Sequence, residues 1–417
     1  MLFSKFQPMT LKSYRLILIS ALLLFTLWIL AFKPDYDLFV KVRQSDVPQD
    51  MAYFEGNDSI NAFYIGRTEE CNRNYMIYLE WLRRVYASDY PAVLDFAIPD
   101  TQKVMQALHM NDAMQSYFSN PAFKYYPVAG VSWLQANEYC KWKTDRINEM
   151  ILIREGVLKF NPAQLNEDNF NSEAYLEKQY EGLVRALVVN DDTHDTTPVE
   201  YRHHILMPAF RLPTEAEWNY ALAHLNEAVV SGKKEILKHN FMDWWYDKMK
   251  EDYGFGCVFL NVKSKSPGAL VNPVLENVNN TDDMMNFDDN VNEWVYDIEG
   301  LQGKDKNNLL SLYQSCNQPE VRLSSDQLPD KDFMGRMTVQ YLYDDSTGLP
   351  VKTESYKALT LEADTTLVNL RSPLHSRIIR GGNNKVKSIS FRKALMENET
   401  DSLTGFRCAM TLILKKK

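Results

Sequence analysis

Five cysteines are the residues of this sequence best suited to redox or metal chemistry. They are scattered over the 417 residues and form no C-x-x-C pair, which excludes the common zinc-knuckle and thioredoxin-type spacings. Their positions are Cys71, Cys140, Cys257, Cys316 and Cys408. Cys140 has apolar neighbours on a predicted helix, so we interpret it as an inert core thiol rather than a nucleophile.

A loop rich in oxygen ligands is the second candidate. It runs from Asn277 to Trp294 and reads NVNNTDDMMNFDDNVNEW. Carboxylate and amide oxygens at this density are what a hard cation such as calcium prefers. The EF-hand pattern fails, because no glycine occupies the sixth position of the loop. On spacing alone, a solvated loop is the better interpretation.

The carboxylates of RLPTEAEW (211–218) could be taken for a general acid/base pair. Thr214 and Glu217 instead have the spacing of a capping box, which satisfies free N–H groups at a helix start. Capping therefore explains Glu217 without catalysis. The seven histidines are dispersed, and the adjacent pair His203 and His204 would diverge on a helix or strand, so it does not chelate a metal by itself.

Mixed helices and strands must position these residues. Helical spacing and a second capping box predict helices, and alternation predicts strands. The predicted helices cover 72–87, 132–155 and 173–189; the predicted strands cover 47–54, 62–65 and 337–343, the last followed by a hairpin turn at 344–348. Two stretches, about 157–207 and 301–375, are polar and irregular, and we interpret them as insertions between core elements.

Composition bounds the function. With 45% apolar residues the chain can bury a large core, and its aromatic content excludes a disordered polymer. The formal charge of −9 argues against nucleic acid as the main partner, because phosphate binding requires clustered Lys and Arg.

An uncharged apolar run from Leu16 to Phe32 predicts a transmembrane helix. Basic residues precede it, which places residues 1–14 in the cytoplasm by the positive-inside rule. We therefore expect an anchor at 15–33, a tether at 34–49 and an exported domain at 50–417. A cleaved signal peptide is disfavoured because no small-x-small site follows the run. A lipoprotein signal is disfavoured because the first cysteine, Cys71, comes too late.

Several stretches together resemble the formylglycine-generating enzymes, also called sulfatase-modifying factors. They occur in the order seen in that family and span nearly all of 50–417, apart from the two insertions. The stretches are FYIGRTEECNRNYMIYL (63–79), YPVAGVSWLQANEYCKW (126–142), RLPTEAEW (211–218), NVNEW (290–294), RGG (380–382) and TGFRCAM (404–410). The resemblance implies an α+β fold related to C-type lectins, with little regular secondary structure.

The chemistry of that family is not expected here. The resemblance implies a copper ion held by two cysteines between RGG and GFR, but the sequence has no cysteine from Asn383 to Leu403. Cys408 matches a non-catalytic cysteine. No copper and no catalytic residues are therefore predicted. A structural calcium is better supported, because the family's ligands map onto the side chains of Asn286 and Glu293 and onto backbone oxygens near Asp289 and Val291.

Within the family, the sequence is most similar to the gliding-motility and type IX secretion lipoproteins GldK, GldJ and PorK. Asn292 stands where the enzymes have Trp, and a long insertion precedes RLPTEAEW. The similarity implies a non-catalytic, membrane-anchored component of secretion or gliding machinery with protein partners. The alternative is an active oxidoreductase with relocated metal ligands among Cys140, Cys257 and Cys316. Without a lipobox cysteine, we expect the bacterial inner membrane with the domain in the periplasm; outer-membrane association is the alternative.

Overall fold

The computed structural model describes part of the chain, all of it within the unit Val42–Lys417. The described residues are 50–110, 117–176, 179–180, 182, 187–188, 196–197, 206–225, 229–230, 271–274, 286–287, 290–300, 341–343, 350–352, 360–362, 366–368, 375–382 and 390–411. The predicted anchor at 15–33 and tether at 34–49 lie outside these ranges. Within them, no helix combines the length and the apolar character needed to cross a membrane.

Six α-helices are present in the described residues. They are α1 (Asn72–Val85), α2 (Pro91–Ala97), α3 (Thr101–Ala107), α4 (Trp133–Arg154), α5 (Ser172–Leu176) and α6 (Glu215–Ala223). The predicted helices at 72–87 and 132–155 are confirmed with slightly shorter ends. The prediction of a helix over 173–189 is wrong, because that helix ends at Leu176 and a strand occupies 187–188.

The strands of the described residues form two main sheets and three two-stranded ones. They are β1 (Met51–Phe54), β2 (Phe63–Gly66), β3 (Leu187–Val188), β4 (Thr196–Thr197), β5 (Phe210–Arg211), β6 (Val229–Val230), β7 (Asn292–Ile298), β8 (Tyr341–Tyr343), β9 (Pro350–Lys352), β10 (Thr360–Glu362), β11 (Thr366–Val368), β12 (Ser376–Arg380), β13 (Arg392–Met396), β14 (Thr404–Gly405) and β15 (Ala409–Thr411). The main sheets have the orders β5-β15-β2-β1-β6 and β13-β12-β7-β14. The antiparallel pair β8–β9 confirms the predicted hairpin, with its first strand shortened to 341–343.

Helix α4 is the central element of the core. It begins at a complete capping box, in which Ser132 accepts from the Gln135 backbone N–H and the Gln135 side chain accepts from the Ser132 N–H. Most of its side chains are buried on all sides, including Trp133, Tyr139 and Trp142. A helix surrounded in this way must pair the charged groups it carries, because an unpaired buried charge is costly.

The second predicted capping box is also confirmed. Thr214 accepts from the Glu217 N–H, and Glu217 accepts from the Thr214 N–H at 2.8 Å. Glu217 also accepts a hydrogen bond from each of the two terminal nitrogens of Arg211, both at 2.6 Å. Capping and a buried ion pair therefore account for this carboxylate, as the sequence predicted for the cap.

Candidate functional site

The motifs RGG and GFR lie in the four-stranded sheet and at its border. Arg380 ends β12, and Gly381 follows with φ +91°, a conformation that L side chains rarely adopt. A Cβ at Gly381 would also lie 3.3 Å from the Phe287 carbonyl oxygen. The glycine is therefore required for the chain to leave the strand. The family resemblance places copper ligands between RGG and GFR, in 383–403, and the part of that stretch from 383 to 389 lies outside the described residues.

Charged side chains surround the described ends of that segment. Arg380 donates to the Asn219 side chain at 2.8 Å and lies over the Trp218 ring at 5.3 Å. Arg392 pairs with Glu215 at 2.7 Å and with Glu299 at 2.8 Å. These contacts tie β12 and β13 to α6 and to the end of β7. They form an ion-pair network with no described thiol in it.

Two sulfurs do meet elsewhere, in the core. The Cys140 Sγ on α4 lies 3.6 Å from the Cys408 Sγ, and the two residues are 0% and 2% exposed. Burial raises the pKa of Cys408 well above its usual range, and the neighbouring Cys140 raises it further. Burial also raises the pKa of the Cys71 thiol to about 11. Both therefore stay protonated near neutral pH.

The sequence missed this Cys140–Cys408 pairing. The two residues are 268 positions apart, and no local pattern links them. The expected alternative needs Cys140, Cys257 or Cys316 at a pocket; Cys140 is fully buried, and Cys257 and Cys316 lie outside the described residues. Among the described residues, no three His, Cys, Asp or Glu side chains cluster as a metal site.

A buried cation lies next to the sulfur pair. Lys143 of α4 is 2% exposed and donates to Glu70 at 2.6 Å, with Asp50 at 3.8 Å. Glu70 also accepts from Asn74, Tyr139 and Cys408 at 3.0–3.2 Å. Burial raises the pKa of Glu70, but the Lys143 charge and these donors outweigh it and lower that pKa overall. The group is a satisfied structural ion pair.

The predicted calcium ligands fall at a second buried centre. Asn286 is half-buried with φ +57°, Val291 is buried directly before β7, and Glu293 is 1% exposed on that strand. Asp289 lies outside the described residues. The structure therefore brings Asn286 and Glu293 to one region, around a guanidinium that the sequence did not single out, that of Arg407.

Arg407 pairs with both carboxylate oxygens of Glu293. Its Nε and Nη2 donate to the two carboxylate oxygens at 2.7 and 2.5 Å, and its Nη1 donates to the Gly66 carbonyl. Trp218 donates a third hydrogen bond to Glu293 at 2.8 Å. The carboxylate is thus already neutralised by a cation of the protein. A calcium ion would have to share Glu293 with Arg407, so the described residues fit calcium only in part, and calcium stays a prediction.

A second carboxylate depends on the same guanidinium. Glu69 is 2% exposed and accepts from Asn286 at 3.0 Å and from Asn290 at 2.9 Å. Burial raises the pKa of Glu69 to about 8; Arg407 opposes the shift, whereas Glu293 adds to it. The charge of Arg407 thus acts on two buried carboxyl groups, and its ion pair is with Glu293. Glu69 lies three residues after the apolar strand β2, and this position was the signal that the sequence offered for it.

The fold and these two centres define a mixed α/β domain in which buried ion pairs hold the motif residues. The family model for the sulfatase-modifying factor enzyme 1-like domain matches residues 50–412. The chain therefore belongs to the sulfatase-modifying factor family.

Solved structures give a more distant comparison. One is the crystal structure of CarF, with 13% identity, a TM-score of 0.33, and coverage of 86% of this chain and 89% of that one. Another is Treponema denticola variable protein 1, with 14% identity, a TM-score of 0.26, and coverage of 87% and 91%. No curated protein matches the chain.

Proposed function

We propose that this protein is a non-catalytic member of its family, acting as a structural component of type IX secretion or gliding machinery. The observation that carries the proposal is the state of the thiols. The sequence has no cysteine from Asn383 to Leu403, and the described cysteines Cys71, Cys140 and Cys408 are all buried. Copper-dependent oxidation needs thiolates that a substrate and oxygen can reach.

Partner binding would fall to the insertions. The rigid elements α1 and α4 and the two main sheets supply a scaffold, and loops on such a scaffold are the usual carriers of binding. In this proposal the predicted anchor at 15–33 holds the domain at the inner membrane on its periplasmic side. The insertions at about 157–207 and 301–375 then face the other proteins of the complex.

Affinity purification of the full chain from native membranes tests the proposal. Recovery of secretion-system ring or motor proteins is the expected result. A chain limited to residues 1–49 is the matched control, because it retains the predicted anchor but lacks the domain. Recovery of sulfatases instead would contradict the assignment.

Protease protection in spheroplasts tests the topology. A domain on the periplasmic side of the inner membrane is digested when the outer membrane is opened. Outer-membrane association would instead place the protein in the outer-membrane fraction.

An active oxidoreductase with relocated metal ligands is the second candidate. The 3.6 Å approach of the Cys140 and Cys408 sulfurs favours it, because two thiolates can hold Cu(I). Competitive Cu(I) titration of the full chain under reducing conditions distinguishes the oxidoreductase from the structural component. Tight binding that Cys408→Ala abolishes and Cys71→Ala preserves would support the oxidoreductase. Absence of tight binding supports the structural role.

We also propose a structural calcium at Asn286, Asp289, Val291 and Glu293. Its support is the family mapping of these residues and the presence of Asn286 and Glu293 at one buried centre. Thermal unfolding with calcium and with chelator tests it, because an ion that binds only the native state raises the Tm. The shift should disappear in Asn286→Ala and persist in Asn277→Ala. An equal Tm with and without calcium would refute it.

A further inference from the structure

The sulfurs of Cys140 and Cys408 are close enough for a covalent bond to form between them. The two Sγ atoms lie 3.6 Å apart, and the residues are 0% and 2% exposed. A disulfide has an S–S distance of about 2.05 Å, so each sulfur has to move by about 0.8 Å along the line that joins them. Changes of the two χ1 torsions supply a movement of that size while the backbone stays in place.

Regular secondary structure fixes both backbones. Cys140 lies within α4, and its carbonyl oxygen accepts from the Thr144 hydroxyl at 2.9 Å. Cys408 directly precedes β15, and its carbonyl oxygen accepts from the Gly66 N–H at 2.8 Å. The helix and the end of the strand therefore hold the two side chains towards each other. This is the arrangement that a disulfide needs, because a pair whose side chains point apart is joined only after the backbone moves.

Oxidation of the pair leaves the neighbouring ion pair satisfied. The Cys408 thiol donates to Glu70 at 3.2 Å, and a disulfide has no S–H to donate. Glu70 keeps the Lys143 ammonium group at 2.6 Å and the Asn74 and Tyr139 donors at 3.1 and 3.0 Å. An S–H group is a weak donor, so its loss changes little for this carboxylate. The polar surroundings are therefore compatible with a disulfide.

The bond has to form before the core closes. Thiol–disulfide exchange needs a thiolate that can reach the sulfur it attacks. In the completed domain both residues are buried, and burial raises the pKa of Cys408 well above its usual range. Cys408 is synthesised 268 positions after Cys140, so the two sulfurs meet only when the last strand docks. Exchange therefore takes place during folding, and the closed core then protects the product.

We propose that Cys140 and Cys408 form a structural disulfide when the chain folds in an oxidising compartment. The oxidant is the disulfide of a thiol–disulfide exchange protein or of a small molecule such as glutathione. One cysteine thiolate of the chain attacks that disulfide, forms a mixed disulfide and releases one thiolate of the oxidant. The other cysteine thiolate then attacks the chain sulfur of the mixed disulfide, and the remaining oxidant thiolate leaves. The chain loses two protons and two electrons, and the oxidant disulfide takes up both electrons and becomes two thiols.

This disulfide would join α4 to the segment that completes both main sheets. A cross-link between residues 268 positions apart restricts the unfolded chain strongly. The midpoint of urea denaturation should therefore be higher in the oxidised chain than in the reduced chain by on the order of 1 M. In cells the bond rests on the proposed function in one respect, the periplasmic location of the domain, since the cytoplasm keeps thiols reduced.

Oxidative refolding of the full chain in detergent tests the inference. With Cys257 and Cys316 replaced by Ser, the remaining thiols are Cys71, Cys140 and Cys408. The chain is unfolded in urea, refolded with oxidised and reduced glutathione, quenched with acid and alkylated in urea. The expected product has one alkylated thiol, Cys71, and gives a cross-linked Cys140–Cys408 peptide in a digest without reductant. Three alkylated thiols, or a cross-link that contains Cys71, would overturn the inference.

Two variants assign the stabilisation to this bond. Cys408→Ser cannot form it, so its urea midpoint should be the same in oxidising and in reducing buffer. Cys71→Ser is the matched control, because Cys71 is another buried core thiol, and it should keep the full difference between the two buffers. Loss of the difference in both variants, or its persistence in Cys408→Ser, contradicts the assignment.

The natural chain, trapped with acid in native membranes and alkylated, separates this inference from the proposed function. The same cross-linked peptide is expected without any refolding. Free Cys140 and Cys408 in that sample, together with a cross-link after refolding, would contradict the periplasmic location and leave the pairing in place. A cross-link absent from both samples overturns the pairing, even where ring or motor proteins co-purify. A cross-link present in both, with recovery of sulfatases, overturns the proposed machinery and supports the disulfide.

Discussion

Replacing Lys143 by Met is expected to destabilise the protein severely. Lys143 is 2% exposed, and its ammonium group donates to Glu70 at 2.6 Å and lies 3.8 Å from Asp50. Met has a similar length and an apolar end, so the change removes the charge with little loss of packing. Glu70 would then keep neutral donors but no partner cation within the core.

The magnitude follows from the burial of both partners. Breaking a buried ion pair by removing one member costs about 3–5 kcal/mol, because it leaves an uncompensated charge. For a domain of this size that loss corresponds to a decrease in Tm of roughly 5–10 °C. Replacing both partners, as in Glu70→Gln with Lys143→Met, should recover most of the free energy of unfolding, since the buried pair is gone and only the Asp50 carboxylate, 20% exposed, remains beside it.

The loss should also depend on pH. In the parent the pKa of Glu70 is lowered from 4.5, so its contribution is present above that value and is lost as pH falls through the lowered pKa. In Lys143→Met, burial acts without the compensating cation and raises the pKa of Glu70. The variant then loses stability as pH rises. The difference from the parent should therefore be largest near pH 7 and should shrink towards pH 4.

Urea denaturation at pH 4, 5.5 and 7 provides the measurement. Arg154→Met is the matched control: Arg154 ends the same helix, is 40% exposed and pairs with Glu155, so its loss should be within about 0.5 kcal/mol. A loss below about 1 kcal/mol for Lys143→Met, or a double variant as unstable as the single one, would refute the reasoning.

Four further predictions follow from the described geometry. In a reduced full chain with Cys257 and Cys316 replaced by Ser, a water-soluble disulfide reagent should not modify Cys71, Cys140 or Cys408 in the native state, because all three are buried. In urea it should modify all three, and mass spectrometry counts the modified thiols. Ser132→Ala should lower the free energy of unfolding by about 1 kcal/mol, and Ser132→Asp by less, because Asp still caps α4. Gly130→Ala should cost more than about 2 kcal/mol, since φ is +73° and the new Cβ would lie 2.8 Å from the Asp100 carbonyl oxygen. The pKa of Glu69 is raised to about 8, so its stabilising contribution is lost as pH rises through that value, and the stability of Glu69→Gln relative to the parent should increase from pH 6 to pH 9 in urea denaturation.

Local patterns in the sequence predicted local structure well. Both capping boxes, at Ser132 and Thr214, start helices as expected, because the hydrogen bonds that define them span only three residues. The apolar spacing of α1 likewise marks a face that is buried. The helix expected over 173–189 ends at Leu176, because the spacing of apolar residues does not by itself fix where a helix ends.

The buried centres could not be predicted in the same way. Glu293 and Arg407 are 114 positions apart, and each could have been a surface residue by its type alone. The family resemblance located Glu293 as a calcium ligand but gave no indication of its ion pair. Only the parallel pairing of β14 with β7, which sets Gly405 beside Glu293, brings the two together, and that pairing is a property of the whole topology.

The segment from Thr404 to Thr411 has a consequence for biogenesis. It pairs with β7 through β14 and then enters the other sheet as β15, between β2 and β5. The contact of Arg407 with Gly66 alone spans 341 positions. At about 10 residues per second of synthesis, roughly half a minute separates the synthesis of β2 from that of its partner strand β15, and the edge of β2 is unpaired during that time. Such a high contact order slows folding and leaves a strand edge exposed, so the nascent domain should depend on a holding chaperone until its final strand has emerged.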